Sequence, residues 1–187
     1  MKLTARQQVL LEFVKTQHTY RSRTPEGAFR KYTGEPYWHH VVSVAQRVTY
    51  LHLLTEIALC HDLLEDTWCT APELLEELLS LKYDVNIAMW ILQGVIDLTD
   101  VYTKENFPLL NRRDRKQREA VRLGDASSWA QSVKYADLMD NTESITKHDP
   151  KFSVTYLREK KEMLEYMVSG NVKLRRQCIE QIEENKK

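Results

Sequence analysis

The chain has 187 residues, 42% of them hydrophobic, which is enough for one domain with a sizeable core. Lys plus Arg and Asp plus Glu both number 27, and this zero balance lacks the broad basic footprint of a nucleic-acid binder. The absence of a signal-peptide pattern or a long apolar run argues against a membrane span, and three cysteines without a C-x-x-C pairing suit a reducing compartment. A soluble, cytoplasmic protein is expected.

Only 5 Gly and 5 Pro punctuate the chain, and strand-like alternation is scarce, so we expect an all-α fold. It reads as a single domain over 1–187, a bundle of about eight helices, with helices from 151 onward packing on the rest. Thr4 caps a first helix to His18 that carries Val9, Leu10, Phe13 and Val14 at helical spacing. Thr19 to Thr33 is a basic loop in which Arg21 and Arg23 read as solubilising, while Arg30 and Lys31 suit either that role or substrate contact. Pro36 opens a second helix with His39 and His40 in its first turn and Val41, Val44, Ala45 and Val48 on its apolar face.

The third helix, about 54–65, runs into the densest polar stretch of the chain, His61-Asp62-Leu63-Leu64-Glu65-Asp66. With roughly 100° per residue, Glu65, Asp62 and Asp66 fall near ~40°, ~100° and ~140° from His61, all on one side. Cys60, Leu63 and Leu64 take the other. Such a polar arc faces either water or a bound cation, and an adjacent His-Asp pair supplies nitrogen and oxygen ligands for a divalent metal.

Thr70 caps the next helix, and Tyr83 to Leu98 follows as a helix whose Met, Trp and Leu stripe reads as core. Asp100 to Pro108 is a loop. The charge run 111–118 reads as a solvated helix face, with a phosphate-recognising edge as the alternative. Ala126 to Thr146 forms a further helix capped by Ser127 or Ser128. On it Asp137 and Asn141 lie near ~300° and ~340° from Lys134, one narrow stripe. A Lys-Asp ion pair explains two of these residues but not the amide in register. Two last helices split at Ser169-Gly170-Asn171, with Arg158 or Lys161 able to reach a pocket mouth, and Glu183 to Lys187 is expected to fray.

Three stretches carry a family resemblance: Arg30-Lys31-Tyr32 through Tyr37 to His40, His61-Asp62 through Glu65-Asp66, and Lys134-x-Ala136-Asp137 through Asn141. In order and separation they resemble the HD-domain phosphohydrolases of the alarmone-hydrolase branch, with the pattern R-K-Y-x-G-x-P-Y-x-x-H, H-D-x-x-E-D and K-x-A-D-x-x-x-N. The resemblance implies a metal held by His40, His61, Asp62 and Asp137. It selects His40 over His39, because the family histidine lies three residues after the tyrosine matched by Tyr37. It further implies Mn²⁺, or another divalent first-row ion, as cofactor, and Glu65 and Asp66 as the catalytic pair that orients water and handles its proton. Arg30, Lys31, Lys134 and Asn141 would bind a small-molecule nucleotide. The implied reaction is removal of the 3′-pyrophosphate of (p)ppGpp. Val41 stands where the family often has proline, and Glu143 where the long bacterial enzymes carry arginine. An HD nucleotidase, an NADPH 2′-phosphatase and a catalytically silent nucleotide sensor are the competing readings.

Overall fold

Side-chain caps set where most of the helices begin. The computed structural model describes residues 2–51 and 53–185, and among these it is helical with only two isolated β-bridges. In chain order come α1 (Ala5–Tyr20), α2 (Trp38–Val48), α3 (Leu54–Cys60), α4 (Leu63–Asp66), α5 (Ala71–Ser80) and α6 (Val85–Leu98). After them come α7 (Arg112–Gly124), α8 (Ser128–His148), α9 (Pro150–Tyr166) and α10 (Val172–Glu184). Thr4 and Thr70 each accept from the backbone three residues on, and Gln7 and Glu73 reach back, closing two capping boxes. Asp84, Asn111, Ser127, Asp149 and Asn171 cap five more helices.

The chain divides into two compact units, one ending at Thr99 and the other starting at Asp100. In the first, α2 lies on α3, α3 on α1 and α6, and α5 on α6. Its core is built from Leu10 and Val14 of α1, Val41, Val44 and Val48 of α2, Ile57 and Leu59 of α3, and Ile91 and Val95 of α6. Gly94 lets α6 come close: a Cβ there would sit 2.6 Å from Cδ1 of Ile57. The Met, Trp and Leu stripe expected as core along α6 is buried at Leu92 and Leu98, but Trp90 is half-buried and Met89 is turned outward. In the second unit α9 packs on both α7 and α8, and α10 covers α8 and α9 around Val133, Leu138, Leu157, Leu164 and Leu174.

Several boundaries differ from the sequence reading. The second helix starts at Trp38, two residues after Pro36, because Pro36 is held extended in a bridge to Phe29. The third helix stops at Cys60. Asp62 lies at φ −99°, ψ 0°, outside helical geometry, and α4 restarts at Leu63. The last helix holds through Glu184, so Glu183 and Glu184 do not fray, and Lys186 and Lys187 lie outside the described residues. Among the described residues no helix is long and apolar enough to cross a membrane.

Candidate metal centre

Three ligand-type side chains of the first unit converge. Atoms of His40, His61 and Asp62 all lie within 4.8 Å of one another. Each owes its place to a helix end: His40 to the first turn of α2, His61 to the C-cap of α3, and Asp62 to the break before α4. The break replaces the smooth helical arc of the sequence reading, and the apolar partners Cys60 and Leu63 on either side are fully buried. Both histidines are also buried, whereas Asp62 keeps one side towards solvent.

The tautomer of His61 follows from its surroundings. Its Nδ1 lies 2.8 Å from the Ala58 carbonyl, which can only accept, so Nδ1 carries the hydrogen. In the neutral ring Nε2 then presents a lone pair, and it stands 3.0 Å from Oδ2 of Asp62, with His40 Nε2 at 3.5 Å from the same oxygen. A lone pair facing a carboxylate at that distance is repulsive unless a positive charge sits there. A second N–H on the ring or a divalent ion both meet the requirement. Nitrogen and oxygen donors, one imidazole already fixed by its other N–H, form a set that fits a first-row cation.

Two more side chains border the cluster. Tyr37 donates its hydroxyl to Oδ2 of Asp62 at 2.7 Å and also hydrogen-bonds Asp66. Burial, and then the neighbouring charge of Asp62, push the Asp66 carboxyl up to about 6, although Tyr37 and the two histidines pull the other way. His18 stacks on the Tyr37 ring with centroids 4.9 Å apart. It is fully buried, and neither ring nitrogen has a hydrogen-bond partner among the described residues. Burial is the main reason its pKa drops to about 4, with the field of Asp62 opposing and those of His61 and His40 assisting. The sequence reading missed His18, yet the signal was there, because His18 continues the Leu10 and Val14 stripe at spacing four.

The other predicted residues are placed as follows. His39 is half exposed against Trp38 and outside the cluster. Glu65 and Asp66 both belong to the short α4. Arg30 and Lys31 enter a tight turn closed by the Phe29–Pro36 bridge, with Gly34 at φ +70° and the Lys31 amine 4.9 Å from the Tyr32 ring centre. Arg21 and Arg23 are not merely solubilising. Arg23 donates to the carbonyls of Thr67 and Leu64 at 2.9 and 3.0 Å, and Arg21 donates to the Trp68 carbonyl and pairs with Glu73. They pin the segment that ends α4.

In the second unit Asp137 is buried on α8, and the predicted stripe closes around it. Lys134 Nζ is 2.9 Å from its Oδ2, and Asn141 donates to Oδ1 at 2.6 Å. The 111–118 run forms the outer part of α7, where Arg112 pairs with Glu159 and Lys116 with Asp100. Lys161 pairs with Glu183 at the surface, whereas exposed Arg158 borders a cavity that Arg112, Lys116 and Glu159 also line.

No model of a known protein family matches the chain, and no curated protein matches it in sequence. Among solved structures it resembles a metazoan orthologue of SpoT, a protein that hydrolyses ppGpp and plays a role in starvation responses. The TM-score is 0.70, and the match covers 98% of this chain and 97% of the other at 19% identity. The chain shares its all-α fold with that protein. The His61-Asp62 dipeptide sits at the α3–α4 break of this fold.

Proposed function

We propose that the chain is a metal-dependent phosphohydrolase that removes the 3′-pyrophosphate of guanosine tetra- and pentaphosphate. The observation that carries this reading is the His40, His61 and Asp62 convergence, with His61 already in the tautomer that offers Nε2. The shared fold with a ppGpp-hydrolysing protein supports the choice of substrate. His40, His61 and Asp62 would hold the ion, and the sequence motif assigns Asp137 as the fourth ligand. A nitrogen and carboxylate set without thiolate suits Mn²⁺. When bound, the ion supplies Lewis acidity towards a phosphoryl oxygen and makes water nucleophilic at neutral pH.

The chain's own residues do the rest. Asp66, with its carboxyl near 6, is suited to take a proton from water and release it, which general acid–base work requires. Tyr37 spans Asp62 and Asp66 and fixes their separation. Glu65, next to Asp66 on α4, is assigned to orient the attacking water. Arg30, Lys31 and Lys134 are assigned to the phosphate charge, which grows little in covalent terms but must be neutralised, and Asn141 to the nucleotide. Retention of both Glu65 and Asp66 speaks against a silent sensor. The test is to incubate the protein and Mn²⁺ with ppGpp, pppGpp, NADPH and deoxynucleotides and identify the products. Pyrophosphate released from the guanosine substrates alone supports the reading, while orthophosphate from NADPH would replace it with a 2′-phosphatase.

A further inference from the structure

A second charged group lies wholly within the second unit. Lys116 of α7 is 2.9 Å from Asp100, and Lys134 of α8 is 2.9 Å from Asp137. Lys160 of α9 stands close enough for the charges of Lys116, Lys134, Asp100 and Asp137 to act on its amine. It lies on the inward stripe of its helix, between Tyr156 and Leu157 on one side and Met163 and Leu164 on the other, all buried. Its neighbour Lys161 points outward to Glu183. Among the described residues Lys160 has no carboxylate at ion-pair distance, and its amine stands 5.3 Å from the Tyr156 ring centre.

The three amines feel one another. Burial, then the like charges of Lys116 and Lys134, hold the Lys160 amine down at about 8, and Asp100 and Asp137 only partly offset this. Burial works against ionisation of Asp100, yet the charges of Lys134 and Lys116, with Lys160 adding to them, keep its carboxyl below the usual range. Three cations therefore share two carboxylates, and a half-buried lysine on this stripe is a costly choice where an apolar side chain would fill it. An anion arriving beside the lysines removes the imbalance, and a phosphate group matches several ammonium donors at once.

We propose that Lys160, together with Lys116 and Lys134, forms a binding site for a phosphate or pyrophosphate group. The site rests on the phosphohydrolase reading only for the identity of the anion, which would be the substrate's pyrophosphate or the released product.

The probe is inorganic pyrophosphate, titrated calorimetrically into the full chain with chelator present so that no metal contributes. Wild type should bind it. Lys160→Met should weaken binding by about 10- to 100-fold, as expected for loss of a charge-assisted contact. Lys160→Arg should restore most of it. Thermal unfolding guards against a folding artefact, since Lys160→Met should melt no lower than wild type if the amine is there for the ligand. Wild type without pyrophosphate affinity, or Lys160→Met binding as wild type does, overturns the proposal. So does a Lys160→Met protein that melts markedly lower, which would make the amine structural. Pyrophosphate binding that depends on Lys160 in a protein inactive on every nucleotide would retain this site and remove the phosphohydrolase reading. Hydrolysis of ppGpp with pyrophosphate affinity unchanged in Lys160→Met would do the reverse.

Discussion

His61 cannot be replaced without losing both its Nε2 and the orientation that the Ala58 carbonyl imposes on the ring. His61→Ala and Asp62→Ala are expected to abolish retention of stoichiometric Mn²⁺ after dialysis, measured by elemental analysis, while His39→Ala retains it. Glu65→Gln and Asp66→Asn should keep the metal and lose about 10²–10⁴-fold in turnover, the usual weight of an acid–base group. Full activity in both variants would remove them from the chemistry. His18 sets a pH dependence. The unfolded chain takes up its proton near 6.5, the folded chain only near 4, so stability rises with pH through that window. The contribution is complete above about 6.5 and falls away on acidification, by on the order of 3 kcal/mol at the low end. Denaturant unfolding of metal-free protein between these pH values should show the loss, and His18→Phe should flatten it. The ligand-type residues were legible because histidine and aspartate side by side in an apolar run are conspicuous. His18 was legible only as a core position: the Leu10 and Val14 stripe marks it as buried, but nothing in the sequence places it against Tyr37.

Among the elements, the helix expected over about 54–65 places His61, Asp62, Glu65 and Asp66 on one continuous arc. The chain breaks the helix at Asp62 instead, and that break is what aims Asp62 at two imidazoles. Period alone cannot reveal such a break, since both halves keep helical spacing and no Gly or Pro marks it. The short α4 depends on tethers from the preceding loop. Arg23→Ala removes hydrogen bonds to the Leu64 and Thr67 carbonyls and should cost about 1 kcal/mol in chemical denaturation. Arg23→Lys should not restore it, because one ammonium lacks the planar fork that reaches both carbonyls. Those tethers were invisible in sequence, because a basic loop residue bonded to distant backbone looks the same as a solvated one. Gly94→Ala tests the α3–α6 approach: the added methyl meets Ile57 and should destabilise by about 1–3 kcal/mol. The caps, by contrast, were legible at Thr4, Thr70 and Ser127, since the hydroxyl lies just before the apolar period it opens.

For the whole molecule, the all-α class followed from sparse Gly and Pro and from helical apolar spacing, and the fold matches a ppGpp-hydrolysing protein across 98% of the chain at only 19% identity. Three ordered motifs pointed to this fold where overall identity is low, because cores accept many apolar combinations. The division into two units at Thr99 was not legible, as no linker composition accompanies it. The proposed hydrolysis is tested most directly by phosphorus NMR of ppGpp incubated with wild-type protein and Mn²⁺, beside Glu65→Gln and a chelator control. Wild type should give stoichiometric pyrophosphate and GDP, Glu65→Gln little and the chelator control none. Release of orthophosphate instead, or a ppGpp spectrum unchanged by metal-loaded wild type, would contradict it.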